Sequence, residues 1–222
     1  MLHRRSRTQR GFSVSELLTV TVILGLLSTF VVLIIAPLLN APNAQQAKID
    51  TVQTGALALY ALQRDVRQGQ VNGVYVCTYP APTTCTNPST APTLAAVHVV
   101  AILTARQNGN QFAKWSNTGQ PNWQGFQVYW LAPDATGNGT FDLDYAFSVS
   151  GVQPGAAAAS ADTAVNSALQ SASPTVIAHN LLTLQVDADS VSKMVGFNVQ
   201  AQSTVDSKVN ETSYQGDSFA RN

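Results

Sequence analysis

From Leu17 to Leu39 the chain carries no charged side chain. That run exceeds the roughly 20 apolar residues an α-helix needs to cross the hydrocarbon core of a bilayer. One long apolar helix near the amino terminus follows, and with it a fold in which this segment cannot be an ordinary amphipathic surface element. Glu16 stands at the head of the run, and Arg4, Arg5, Arg7 and Arg10 precede it. The arginines orient the segment with its start in the cytoplasm. A carboxylate within a span costs about 2.5–3.5 kcal/mol on insertion scales, so Glu16 needs a reason, most simply a partner.

Three kinds of leader share a basic start and an apolar core. A secretory signal has an apolar core of only about 7–15 residues and a small-residue cleavage site after it. This core is too long, and Asn40-Ala41-Pro42-Asn43-Ala44 makes a poor site. A plain signal anchor fits length and orientation but leaves Glu16 and the Gly11-Phe12 junction unexplained. The third is carried by Gly11-Phe12-Ser13-Val14-Ser15-Glu16. This stretch resembles the processing motif of type IV pilins and type II secretion pseudopilins: Gly, Phe, then Glu as fifth residue counted from the Phe. Gly25 falls where many members carry a helical glycine, and Ser15 departs from the usual Ile, Leu or Val.

The resemblance implies a course of events. A prepilin peptidase cuts between Gly11 and Phe12 on the cytoplasmic side and methylates the new Phe12 amine. Residues 1–11 are then a leader. Residues 12–39 form a helix that holds the subunit in a bacterial inner membrane, single-pass, until an assembly platform passes it into a filament core. There Glu16 pairs with the Phe12 amine of a neighbouring pilin or pseudopilin. A buried charge pair is most costly when one partner is missing, so the pair would act as a register device. The implied architecture is α+β, the pilin fold: the helix continues amphipathically over 40–69 onto an antiparallel sheet, and a β-rich head spans 70–222 outside the cytoplasm.

Twelve basic residues balance twelve acidic ones. Loss of residues 1–11 removes four arginines and leaves eight against twelve, formally −4. No Lys/Arg cluster follows Arg10, which argues against nucleic acid binding through a basic surface. Only 11% of residues are charged, which suits an exported protein with a neutral, hydrogen-bonding surface. Cys77 and Cys85 flank a loop with two prolines and read as a disulfide in an oxidising compartment, with two free thiols as the alternative.

Pro37 and Pro42 predict a bend or local melting near 37–43. The helix then resumes over 44–68, where Ile49, Val52, Ala56, Leu59 and Val66 form one apolar stripe expected to pack on the head. Strands are predicted at Val71–Cys77, Gln124–Leu131 and Thr140–Ser150, the last two joined by a turn at Asp134–Gly139. Thr175–Asp187 and Lys193–Gln202 form a second hairpin. Leu94–Ala105 is ambiguous between helix and buried strand. The Ala/Ser-rich 155–172 is a short helix or a loose insertion, and the tail is polar. His98, in an apolar run, reads as a core residue; His179 borders a strand.

Short stretches narrow the resemblance. Gln63-Arg64-Asp65-Val66-Arg67-Gln68, Ile177-Ala178-His179-Asn180-Leu181 and Ser218-Phe219-Ala220-Arg221-Asn222 are similar to segments of the J-type minor pseudopilins and W-type minor pilins. Read on their own, Arg64, Asp65 and Arg67 make a solvated salt-bridge cluster at a helix end. No Gly-x-Ser-x-Gly elbow or Lys-Ser/Thr phosphate loop occurs, so no enzyme activity and no cofactor is expected. Asp134, Thr136, Asn138 and Asp142, with Gly139 in glycine's place at position six, resemble a calcium loop. Tyr145 stands where the bidentate Glu belongs, and a hairpin turn requires the same residues for backbone reasons. Two function classes result: a structural subunit of an envelope filament, or a membrane-anchored extracytoplasmic binding or enzymatic domain that uses a pilin-like anchor.

Overall fold

A computed structural model of the chain describes residues 13–69, 71–78, 84–88, 95–96, 98–107, 111–112, 123–134, 138–149, 158–170, 173–189, 192–205 and 208–220. The chain divides into two units, residues 1–46 and 47–222. Helix α1 (Val14–Val66) supplies the described part of the first unit and the opening of the second.

In the first unit, Val14–Ile35 is 22 residues long, apolar, and not buried against any other part of the chain. At 1.5 Å per residue it reaches about 33 Å, so by length and composition it can cross a membrane. Its few hydroxyls bond within the helix. Thr19 and Thr21 donate to the carbonyls of Ser15 and Leu18 at 2.9 Å, and Ser28 and Thr29 to those of Leu24 and Gly25 at 2.8 Å. Lipid offers no partner for such groups, and back-bonding one turn up the helix supplies it. The expected melting near 37–43 does not occur, since the backbone is helical through Pro37 and Pro42. Each proline removes a single N–H bond. The two gaps lie in successive turns and are bracketed by intact ones.

The second unit is α+β. Its nine-stranded sheet runs β11-β10-β9-β8-β7-β4-β1-β2, with β3 paired on β9, and every pairing is antiparallel. The strands are β1 (Val74–Cys77), β2 (Cys85–Thr86), β3 (Ala95–Ala96), β4 (Val99–Thr104), β7 (Gly125–Pro133), β8 (Phe141–Val149), β9 (Thr175–Asp189), β10 (Met194–Val205) and β11 (Lys208–Phe219). A separate two-stranded pair joins β5 (Arg106–Gln107) to β6 (Gln111–Phe112). Within the apolar 94–105 stretch the described elements are strands, β3 and β4, and β4 is buried on both faces. Val100 and Ile102 face one core and Val99, Ala101 and Leu103 the other.

The two cores make a helix–sheet–helix sandwich. The later part of α1 covers one face through Ala58, Leu62 and Val66, over Tyr129, Leu143, Leu184 and Phe197. Helix α2 (Ala158–Leu169) covers the other through Ala161, Ala164, Val165 and Ala168, over Phe126, Val128 and Trp130. That spacing of i, i+3, i+4, i+7 is one helical face, so within the Ala/Ser-rich segment Ala158–Leu169 is helix.

The expected apolar stripe of α1 is corrected in its first part. Ile49 and Val52 are 48% and 42% exposed and Ala56 is exposed as well, while Leu59 and Val66 do pack on the core. The face that is buried runs Thr51, Gly55, Ala58, Leu62, Asp65 and Val66. Small residues win there because the helix lies close to β11. A side chain at Gly55 would collide with the Tyr214 ring, and one at Gly216 with Gln63 Nε2. Ser218 Oγ donates to the Gln63 carbonyl at 3.1 Å, and Gln63 Nε2 to the Asp217 carbonyl at 3.2 Å. Within the polar tail, Lys208–Phe219 is an edge strand, β11.

Cys77 and Cys85 form a disulfide across β1 and β2, where they are direct register partners. Both are 2% exposed. Asp162 of α2 accepts the Cys85 N–H at 2.7 Å, tying the helix to this corner. Closing so short a loop stabilises a chain by about 2–3 kcal/mol. Cys77→Ala/Cys85→Ala should lower the unfolding free energy by about that amount, as read by denaturant unfolding without reductant. The same reductant that destabilises the parent should leave the variant unchanged.

Candidate functional site

The first turn of α1 is built from its own sequence. Ser13 caps the helix: its Oγ accepts the Glu16 N–H at 3.3 Å. The Glu16 carboxylate reaches back and accepts the Ser13 N–H at 3.0 Å and the Ser13 hydroxyl at 3.1 Å. This is a reciprocal capping box, and Ser-x-x-Glu is its sequence signature. The reading of Glu16 as a residue needing a partner overlooked that signature. Within a single chain the acid has a partner, and it is the peptide N–H one residue beyond Phe12. Gly11 and Phe12 themselves lie outside the described residues.

On the second unit, α1 carries a second apolar face opposite the buried one. Ile49 (48% exposed), Val52 (42%), Leu57 (56%) and Tyr60 (63%) recur at helical spacing and touch solvent. Hydropathy alone does not separate a face meant for the core from a face meant for something else.

At the end of the helix the expected solvated cluster is corrected. Asp65 is fully buried. Its Oδ1 accepts Arg64 Nε at 2.8 Å, and its Oδ2 accepts an Arg64 terminal N–H at 3.3 Å. Tyr129 on β7 donates its hydroxyl to the same carboxylate. The amide N–H of Gln127, also fully buried, donates to Asp65 Oδ1 at 3.2 Å once its N and O are placed to suit the neighbours. Burial first, then the Asp65 charge, holds the Tyr129 hydroxyl well above the usual phenol range, so it is a firm donor. Donors from two elements satisfy the acid, as a buried charge requires. The group fastens the helix end to the sheet centre, and Arg67 is exposed.

Comparison with family models, with curated proteins and with solved structures finds no match.

The remaining predicted residues separate. Asp134 and Thr140 close the β7–β8 turn: the Asp134 N–H donates to the Thr140 carbonyl at 3.1 Å and the Thr140 hydroxyl to Asp134 Oδ2 at 3.4 Å. Gly139 takes φ +76°, a value side chains avoid. Asp142 lies on β8 and meets His179 Nδ1 at 3.0 Å. Asn138 is exposed, and Thr136 lies outside the described residues. Among the described residues no group of three or more His, Cys, Asp or Glu could hold a metal ion. The expectation of a core His98 is corrected: it stands just before β4, its carbonyl accepting the Leu131 N–H at 2.9 Å, and its side chain is exposed, the ring edge-on to Phe141 at 6.4 Å. His179 sits inside β9, beside an irregular stretch of its ladder.

Asp144, 8% exposed, has its pKa raised by burial and by the neighbouring Asp142 charge, with His179 opposing. The native state therefore holds the Asp144 proton more tightly than the unfolded chain. That stabilisation is complete below the unfolded value of about 4 and is lost as pH rises through the folded value. Asp144→Asn should raise the melting temperature near neutral pH, with the gain shrinking as pH falls through the folded value and gone below about pH 4. Paired thermal scans at the two pH values measure it.

Proposed function

We propose that the chain is a prepilin-type structural subunit, a minor pilin or pseudopilin of a type IV pilus or type II secretion-like filament, processed between Gly11 and Phe12. The observation that carries this reading is the position of the Glu16 carboxylate. It opens an otherwise uncharged 22-residue apolar helix and is folded back onto the Ser13 N–H. A free amine at Phe12 would lie one residue from it. That nearness in sequence supports a pairing of the acid with such an amine, its own or a neighbour's.

Two further features support the reading. The α+β arrangement, with a long helix whose later part lies on an antiparallel sheet, is the one the resemblance implies. The exposed stripe of Ile49, Val52, Leu57 and Tyr60 is a face that helices packed side by side in a filament would cover. In this reading Arg64-Asp65-Val66-Arg67 is the J/W-type segment, and its buried aspartate anchors the head to the assembling helix. Partners are the prepilin peptidase, other pilin-like subunits and an inner-membrane assembly platform.

Mass spectrometry of the amino terminus of protein isolated from its cells tests the proposal. The expected result is a chain that begins at an N-methylated Phe12 and copurifies with other pilin-like proteins. A retained leader on a solitary chain would overturn it and leave a tethered extracytoplasmic domain.

A further inference from the structure

A cavity of about 260 Å³ opens within the second unit, between α1, the β7–β8 turn, β9 and β10. Every described side chain that lines it is polar, among them Asp50, Thr54, Asn138, Asn180, Gln202 and Ser203. Three observations mark it as more than a surface dent. Asn180 has φ 57°, the left-handed region that a non-glycine residue seldom adopts. The ladders on both sides of Asn180 are irregular. Phe141 pairs with Leu181 and Leu143 with Ala178, so β9 carries one residue more than β8; on the other side Gln200 pairs with Thr183 but Ala201 with Leu181. Bulges of this kind re-aim side chains. Lastly, the Ser203 hydroxyl is shielded from solvent and has no hydrogen-bond partner among the described residues.

The lining selects the ligand chemistry. Among the described residues it contains no Lys, Arg or His, which disfavours a phosphate or carboxylate. Among them it also contains no apolar or aromatic residue, which disfavours a hydrophobic ligand. Their single carboxylate, Asp50, is too little charge for a calcium cage, which gathers several. Amides and hydroxyls that both donate and accept, with one carboxylate acceptor, match a neutral polyhydroxylated molecule. The volume is well above the ~30 Å³ share of one water and just under the ~300 Å³ where drug-sized sites begin. We propose that the cavity binds a single sugar residue, free or at the end of a glycan. The inference does not depend on how the apolar helix is used.

The test uses the full chain in a detergent without a sugar head group. Side-chain amide NMR signals of Asn138, Asn180 and Gln202 are followed while glucose, galactose, mannose, N-acetylglucosamine and N-acetylgalactosamine are titrated past about 1 mM, the weak end of specific binding. A glycan array tests the same sugars as chain ends. A saturating shift with a free sugar, or selective capture of one terminal sugar, supports the site and tells the two sources apart. Asn180→Gly keeps the backbone conformation and removes the amide; Ser203→Ala removes one hydroxyl. Each should weaken binding about tenfold, the worth of a hydrogen bond in a shielded site, with unchanged circular dichroism. No response to any sugar in either format overturns the proposal. So does a response only to calcium or inorganic phosphate, or sugar binding that both variants leave unaltered.

Discussion

Asp65→Ala is expected to lower the unfolding free energy of the head by about 3–5 kcal/mol, the usual cost of breaking a buried charged group by removing one partner. The loss is large because what remains is worse than what is removed. Tyr129 and Gln127 would keep a hydroxyl and an amide pointed at a space with no acceptor, in a part of the core from which water is excluded. Unsatisfied groups of that kind cost about 1–3 kcal/mol each. In Asp65→Ala the leftover Arg64 head group adds little, because its side chain is 39% exposed and can be hydrated. Arg64→Ala is the different case: it leaves the buried carboxylate without its cation and should cost about 3 kcal/mol. Tyr129→Phe, which removes one neutral donor, should cost about 1–2 kcal/mol. Denaturant unfolding of the detergent-solubilised chain, followed by near-ultraviolet circular dichroism, ranks the three. An Asp65→Ala variant as stable as the parent would show that the carboxylate is not what holds the helix end to β7.

The second large effect concerns assembly. Glu16 has two separable duties in the proposed function: a local cap on the Ser13 N–H and an ionic partner for an amine. Glutamine serves in a capping box as well as glutamate does, but it carries no charge. Glu16→Gln should therefore enter the membrane with an intact first turn and still fail to join filaments. Glu16→Val should lose both duties and assemble no better. Fractionation of cells into membrane and sheared filament, probed with an antibody to the head, reads the outcome. If Glu16→Gln assembled normally while Glu16→Val did not, the carboxylate would be a cap and nothing more.

Much of the fold was legible because neighbouring residues vote together. The alternation of Phe141, Leu143, Tyr145 and Phe147 with polar residues, and the glycine-containing turn before it, located the β7–β8 hairpin to within two residues. The unbroken apolar run located the start of α1. Failures came where the deciding contact lies far away in sequence. Nothing local says that Gly55 and Ala58 face the sheet in place of Ile49 and Val52; the Tyr214 ring, well over a hundred residues on, requires it. Asp65 looked like surface because its partners sit on β7, where Tyr129 and Gln127 read as ordinary strand residues. Lys208–Phe219 looked like a tail because an edge strand is expected to carry polar side chains. The cavity was invisible for a related reason, since its wall is assembled from four elements around a bend at Asn180 that the residue type does not announce.

The hydroxyls along the first half of α1 have one more implication. Because each is bonded to its own helix, the rod brings its polar accounts already settled to whatever surrounds it. Moving it from fatty tails into a bundle of similar rods would orphan none of those hydroxyls and require no new donor or acceptor from the host. Only the acid at its tip would be sensitive to company, and so the choice of neighbour would rest there.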